Sequence, residues 1–139
     1  MIEYISTATE NFFQHQMGTT CQRIDHNDKL RTVIAYIDIN SSINTKHRIY
    51  IAMQEALLQQ IIELFLGEEN SDERTLTEMS LETSNMIIGS AKVLAEGSNS
   101  EFTIETPFSE GVKSFNMAYD EKHTFEINNN TFIVATKEL

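Results

Sequence analysis

The sequence predicts an α+β fold in which long α-helices cover a largely antiparallel β-sheet. Apolar residues alternate with a period of two from Arg31 to Met53, and four short alternating segments follow Gly97. Between these two groups, the apolar residues recur at helical spacing. Strands that are grouped before and after long helices are typical of α+β folds. The 139 residues lie within the usual size of one domain, so we expect a single domain over residues 1–139.

The first part of the chain predicts a helix followed by a hairpin. Apolar residues recur at helical spacing between Ile2 and Phe13, and Gly18 stops the pattern, so we expect about four turns of helix. The alternation that starts at Arg31 is interrupted by "SSIN" and resumes in "KHRIYIAM". Two alternating segments joined by a short polar turn predict an antiparallel hairpin.

Two further helices are predicted before the remaining strands. The second helix closes on Gly67, a residue type favoured just past a helix end, and its expected core stripe is Leu57, Ile61, Ile62 and Phe65. The third helix is expected to begin near Leu76, because Thr75 and Glu78 have the spacing of a capping box. Its expected core stripe is Leu76, Met79, Thr83, Ile87, Ala91 and Leu94.

The segments after Gly97 predict four antiparallel strands. They are "EFTIETP", "GVKSFNMAY", "HTFEIN" and "TFIVAT". Asn128 to Asn130 separate the last two segments, and asparagine tolerates the left-handed backbone of a tight turn, so these segments are expected to form a hairpin.

Charge and cysteine content exclude several classes of function. The net charge is −11, with 21 acidic and 10 basic residues, which argues against binding to nucleic acid or to an anionic membrane surface. No segment reaches the roughly 18 apolar residues of a membrane span, and the first residues do not resemble a signal peptide. Cys21 is a single cysteine, which suits a reducing compartment. We therefore expect a cytoplasmic protein.

The third helix carries a polar face that is a candidate functional site. Glu82 and Asn85 are three residues apart, so their side chains project together from neighbouring turns, and Glu78 precedes them on the same side. Gly89 also lies on this side, although a glycine inside a helix costs about 1 kcal/mol relative to alanine. A partner that approaches the backbone closely would explain the glycine. The alternative is a face that is only solvated, which is common on helices and which spacing alone does not exclude.

Other arrangements of reactive residues offer less. The four histidines lie in separate segments, and none stands beside serine or cysteine in a recognisable nucleophile motif. Helical carboxylate metal sites use Glu-x-x-His, whereas Asn85 occupies the fourth position of the motif that begins at Glu82, so we expect no metal site. Met86 and Ile88 flank the polar face and are candidates for contact with a partner.

At these residues, the sequence resembles a known family. The segment "ETSNMIIGSAK", Glu82 to Lys92, is similar to the Glu-x-x-Asn helix of the CheX, CheC and FliY chemotaxis phosphatases. Glu78 stands where that helix commonly carries another acid. The order of helices and strands also resembles CheX over nearly the whole chain, so a CheX-like fold is implied.

The resemblance implies a protein phosphatase that hydrolyses the aspartyl phosphate of a CheY-type response-regulator receiver. It assigns Asn85 to orienting the attacking water and Glu82 to pairing with the receiver's active-site lysine, and these are the two candidate catalytic residues. Glu78, Met86 and Gly89 would contact the receiver. Mg²⁺ would arrive on the receiver, with no cofactor held by this chain.

The family resemblance also implies a homodimer, and it leaves open whether a CheD-like regulator binds. Two alternatives to an enzyme remain at this point. One is a non-catalytic adaptor of the same fold that docks a receiver or a flagellar-switch protein. The other is a structural dimerisation domain whose polar helix face is only solvated. Gly89, together with the pair Glu82 and Asn85, argues against it.

Overall fold

The computed structural model describes residues 1–25 and 30–139, which form three helices and a seven-stranded antiparallel sheet. The predicted α+β class is confirmed. In chain order, the elements are α1 Ile2–Met17, β1 Gln22–Ile24, β2 Arg31–Ser41, β3 Lys46–Met53, α2 Glu55–Leu66, α3 Glu73–Ala95, β4 Phe102–Ile104, β5 Phe108–Ser114, β6 Glu121–Ile127 and β7 Asn130–Glu138.

The strands lie in the order β1-β6-β7-β3-β2-β4, and β5 also pairs with β2. The predicted hairpins are both present. In the first, β2 pairs with β3 in a register that places Ile37 opposite Ile49. In the second, β6 and β7 are joined through Asn128 and Asn129, whose φ angles of 49° and 64° lie in the left-handed region. The asparagine run therefore makes the tight turn that its composition predicts.

The three helices pack on one face of the sheet. Inward-facing residues of β2, such as Val33 and Ile37, share a buried core with Phe13 of α1, Leu57 of α2 and Ile87 of α3. The period-two alternation of β2 places these strand residues on one side, as the sequence predicts. The common core fixes α3 on the sheet and leaves its opposite side facing solvent.

The opposite face of the sheet carries a smaller cluster, and none of the helices in the described residues covers it. Tyr36 and Tyr50 lie on this face, and the Phe115 ring packs 5.8 Å from the Tyr50 ring, centroid to centroid. Arg48 makes a two-pronged ion pair with Asp38 on the neighbouring strand, at 2.7 Å and 3.0 Å. Its guanidinium also lies 4.1 Å from the centroid of the Tyr36 ring. The Arg48–Asp38 ion pair therefore packs against the Tyr36 ring of this aromatic surface.

The structure corrects the predicted start of the third helix. α3 begins at Glu73 because the Asp72 carboxylate accepts a hydrogen bond from the backbone N–H of Thr75 at 2.9 Å. The capping box predicted from Thr75 and Glu78 is therefore wrong, and Glu78 instead pairs with Arg74 at 3.1 Å. Aspartate is as good a cap as threonine, so the earlier cap adds three helical residues.

Two residues of the expected core stripes are exposed. Leu94 is 42% exposed and Phe65 is 38% exposed, while Ala95 is fully buried. Both exceptions lie in the last turn or so of their helices. At the end of α3, the buried side follows Ala91 and Ala95, four residues apart, and this drift turns Leu94 outward.

Two strands also differ from the predicted segments. β5 begins at Phe108 rather than Gly111 and ends at Ser114, because its pairing with β2 shifts register between Ile34 and Ala35 and Gly111 adopts φ 85°. Such an irregularity breaks the period-two pattern. β1 was not predicted, since it has only three residues and no buried side chain to mark it.

Candidate functional site

The candidate site is the solvent-facing side of α3, which we call the site face and which consists of Glu78, Glu82, Asn85, Met86 and Gly89. Glu82 and Asn85 are exposed one helical turn apart, above a fully buried underside that includes Ile87, Ile88 and Ala91. A helix anchored by packed residues holds its exposed side chains in a fixed relative position. The structure therefore brings together the five residues that the sequence singled out.

The two central side chains of the site face are free of internal partners. Within residues 1–25 and 30–139, neither Glu82 nor Asn85 makes a side-chain hydrogen bond or an ion pair. Among the described residues, Glu78 pairs only with Arg74, and both of those side chains are well exposed, so the pair contributes little stability. The amide and the carboxylate at the centre are consequently available to another molecule.

Gly89 has no structural reason to be glycine. Its backbone is helical rather than left-handed, and a Cβ placed on it would meet no atom within 4 Å. Alanine would therefore fit there and would favour the helix by about 1 kcal/mol. The missing side chain leaves open space at the half-buried part of the site face.

Two grooves run along the sides of the site face. A groove of about 440 Å³ lies between α1 and α3, and Asn85, Met86 and Gly89 belong to its α3 wall. A smaller groove of about 160 Å³ lies between the end of α2 and the start of α3, and Glu78 and Glu82 line it. Glu82 and Asn85 thus stand on a ridge between two depressions of different lining.

The structure adds residues that the sequence did not indicate and removes one that it did. The α1 wall of the larger groove contributes Asn11, His15 and Gln16, whose spacing gave no sign of which helix they would face. Met86 is 39% exposed beside Asn85, so its side chain is accessible to another molecule. Ile88, expected to flank the polar face, is fully buried in the core, so the expectation for this residue is wrong.

One histidine does lie beside a serine. The Ser6 hydroxyl and His123 Nδ1 are 2.6 Å apart, and His123 Nε2 is 3.5 Å from a Glu3 carboxylate oxygen. Serine, histidine and a carboxylate in this order suggest a nucleophilic triad. Ser6 is completely buried between α1 and the sheet, however, so a substrate carbon or phosphorus could not reach its oxygen. We interpret the contact as a structural one that ties α1 to β6.

The rest of the described chain offers little alternative chemistry. Burial, with a smaller contribution from the Glu10 charge, raises the pKa of Cys21 to about 12, which makes its thiol a poor nucleophile. Residues 1–25 and 30–139 contain no group of three or more His, Cys, Asp or Glu side chains placed to hold a metal ion. The histidine at position 26 lies outside the described residues. No helix in the described ranges combines the length and the apolar character needed to cross a bilayer.

Solved structures of similar fold cover nearly the whole chain. CheX from Vibrio vulnificus is 21% identical, with 98% of each chain covered and a TM-score of 0.79. CheX from Desulfovibrio desulfuricans is 18% identical, with 99% of this chain and 97% of that chain covered and a TM-score of 0.77. A CheX-CheY-BeF₃-Mg²⁺ complex from Borrelia burgdorferi is 16% identical, with 99% and 97% covered and a TM-score of 0.68. At these identities the likeness establishes the fold.

The sequence itself matches a family model. A comparison with curated protein sequences gives no match. The model described as "Chemotaxis phosphatase CheX" matches residues 33–127, which include most of the first hairpin, α2 and the whole of α3 with its site face. This match spans more than half of the 139 residues. The chain therefore belongs to the CheX family of chemotaxis phosphatases.

Proposed function

We propose that the chain is a phosphatase that hydrolyses the aspartyl phosphate of a CheY-type receiver, with the site face of α3 as its active surface. Membership of the CheX family supports the general activity. One observation carries the assignment of the site. Glu82 and Asn85 project together from α3, exposed and unpartnered within the described residues. They lie beside Gly89, where neither the backbone conformation nor the packing requires a glycine.

Asn85 acts by placing the water molecule that attacks phosphorus. A carboxamide both donates and accepts hydrogen bonds, so it can hold water in one orientation without becoming charged. The water oxygen bonds to phosphorus as the bond from phosphorus to the aspartate oxygen breaks, and the products are inorganic phosphate and the free receiver carboxylate. Positioning of this kind lowers the barrier through orientation, which needs no nucleophile from the phosphatase.

Glu82 acts by holding the receiver in register. Its carboxylate would pair with the ammonium group of the receiver's active-site lysine, in a charge-assisted hydrogen bond. One turn of helix separates this anchor from Asn85, so the pairing fixes how far the amide reaches into the receiver. The Mg²⁺ ion belongs to the receiver in this scheme, where it offsets charge on the phosphoryl oxygens. The solved CheX-CheY-BeF₃-Mg²⁺ complex from Borrelia burgdorferi supports a CheY-type receiver as the partner of this chain.

The test follows the lifetime of a phosphorylated receiver. A CheY-type receiver is phosphorylated with a small phosphodonor, the donor is removed, and decay of the phosphoprotein is followed with and without this protein. We expect Asn85→Ala to lower the rate by about 100-fold or more, the typical loss for a group that acts in the transition state. Glu82→Ala should chiefly weaken receiver binding. Asn99→Ala, which removes an exposed amide from the loop after α3, is the matched control and should leave the rate unchanged.

Two outcomes would contradict the assignment. If the wild-type protein binds the phosphorylated receiver but does not shorten its lifetime, the chain is an adaptor that docks a receiver or a flagellar-switch protein. If Glu82→Gln abolishes turnover while receiver affinity stays the same, Glu82 is not an anchor. Circular dichroism of each variant separates these outcomes from unfolding.

We also propose that the protein forms a homodimer, as its family resemblance implies. The chain has a mass of 15.9 kDa, so light scattering after size exclusion should give twice this value. A mass of one chain over the micromolar range would exclude the dimer.

A further inference from the structure

We propose that α1 forms a second wall of the receiver-binding surface, and that the two grooves beside the site face orient the receiver by accepting chemically different parts of it. This inference rests on the proposed phosphatase function. The larger groove would receive an uncharged loop of the receiver, and the smaller groove would receive a basic side chain. Asn11, His15 and Gln16 are then docking and specificity residues for the same reaction.

The larger groove is continuous with the site. Asn85 and Gly89 form part of its α3 wall, and the last two turns of α1 form the opposite wall. A receiver that contacts Asn85 must therefore extend over the groove. Gly89 opens the floor between the two helices, because no side chain projects there and no other atom fills the space within 4 Å of its missing Cβ. The depth of the groove at this point suits a closely approaching backbone.

The described lining of the larger groove consists of neutral polar and apolar side chains together with the imidazole of His15. It contains no Asp, Glu, Lys or Arg, although the protein as a whole carries a net charge of −11. Amide groups of Asn11 and Gln16 offer donors and acceptors that suit a peptide backbone. Val93, which is 65% exposed, and Met86 supply apolar surface beside them. This combination fits a neutral loop that presents an apolar side chain and free backbone groups.

The smaller groove has the opposite character. Glu78 and Glu82 line it together with Met79 and with Leu66, which is 54% exposed. A lysine or arginine side chain fits such a lining, since its apolar stem can lie on Leu66 while its charged end reaches the carboxylates. The acidic and the neutral groove lie on opposite sides of the ridge, so a receiver docked the wrong way round would place its basic group in the neutral groove. That mismatch would favour one orientation.

The test compares two identical substitutions on α1. Gln16→Glu places a carboxylate in the neutral groove with almost no change of shape, and Gln14→Glu makes the same change at an exposed position that does not line it. Binding is measured by titration with a CheY-type receiver held in its activated form with BeF₃⁻ and Mg²⁺, and turnover is measured by decay of the phosphorylated receiver. We expect Gln16→Glu to weaken binding and raise KM by about fivefold or more, with kcat changed less than twofold and Gln14→Glu close to wild type.

The measurements separate this inference from the phosphatase assignment. Equal dissociation constants for Gln16→Glu and Gln14→Glu, with both proteins folded, would exclude α1 as a docking wall even if Asn85→Ala is inactive. Tighter binding of Gln16→Glu would show that the groove receives a basic segment, which also overturns the inference. If the wild type binds but has no phosphatase activity, the proposed function fails, while the comparison of dissociation constants still decides the role of α1.

Discussion

Replacement of Gly89 with alanine should stabilise the fold and impair receiver docking at the same time. Alanine favours a helix interior by about 1 kcal/mol over glycine, and the added Cβ meets no atom within 4 Å, so no steric cost offsets this gain. Unfolding entropy near 2.1 cal/mol/K per residue, summed over 139 residues, converts 1 kcal/mol into a rise in Tm of about 3 °C.

The same methyl group would occupy space that the docked receiver requires. Filling a close-packed contact with one extra carbon typically costs about 1–3 kcal/mol, which corresponds to roughly a 5- to 150-fold loss of affinity. Thermal unfolding followed by circular dichroism measures the first effect, and the concentration dependence of receiver dephosphorylation measures the second. The two effects have opposite signs, so general damage to the protein could not produce both.

Gly97→Ala is the matched control for this prediction. Gly97 follows α3 with a φ of 77°, a conformation that alanine adopts only with strain, so this variant should lose stability. Its effect on docking should be small after correction for the folded fraction. If Gly89→Ala is more stable and dephosphorylates the receiver at the wild-type KM, the glycine does not provide clearance for a partner. In that case the argument from Gly89 to the site face fails.

Three further predictions concern the scaffold. Asp38→Ala should lower the free energy of unfolding by about 1 kcal/mol in urea titrations, because it leaves the partly buried Arg48 guanidinium without its two charged hydrogen bonds. Cys21 should react with iodoacetamide at pH 8 roughly a thousandfold more slowly than a free cysteine, because its pKa is raised to about 12. The hydrogen bond that the Thr75 backbone N–H donates to Asp72 lowers the pKa of the Asp72 carboxyl. The stability that ionised Asp72 contributes to the fold is therefore complete above the pKa of about 3.9 in the unfolded chain, and it is lost as the pH falls through the lower pKa of the folded state. The difference in Tm between wild type and Asp72→Asn should therefore shrink as the pH falls from 7 to about 2.5.

Each of these has a clear contrary result. Unchanged urea stability of Asp38→Ala would mean that Arg48 finds water or another acceptor at no cost. Rapid alkylation of Cys21 in folded protein would show that its thiol is not held away from solvent. A Tm difference between wild type and Asp72→Asn that stays constant across the pH range would contradict the prediction. It would show that ionisation of Asp72 does not contribute to the cap.

Local patterns predict the elements of this fold well because their causes are local. The alternation in β2 and β3 reflects which side chains face the core, and Gly18 and Gly67 end α1 and α2 with φ angles of 62° and 67°. The start of α3 could not be settled in this way, since Asp72 and Thr75 are both good caps and only the structure shows which one is used. Strand order was not predicted either, because alternation identifies a strand without naming its neighbours.

In the candidate site, too, the features that local patterns determine could be predicted, and those that depend on tertiary packing could not. Helical periodicity places Glu78, Glu82, Asn85 and Gly89 on one exposed side of α3, and the structure agrees. The α1 wall of the larger groove could not be predicted, because the contact of α1 with α3 depends on how both helices pack on the sheet. His123 and Ser6 show the same limit, since residues 117 positions apart meet only in the folded chain.

Because Glu82 and Asn85 stand on a ridge between two open grooves, the described part of the chain presents a convex edge here rather than an enclosed chamber. Under the proposed mechanism, a free acyl phosphate arriving from solvent would find no pocket to surround it, and a water molecule held by Asn85 would exchange with bulk solvent. Only a substrate that carries its own concave cleft can complete the enclosure. For the proposed phosphatase, discrimination against the many small phosphorylated metabolites of a cell would then require no selective pocket, because a convex helix surface offers them no enclosure.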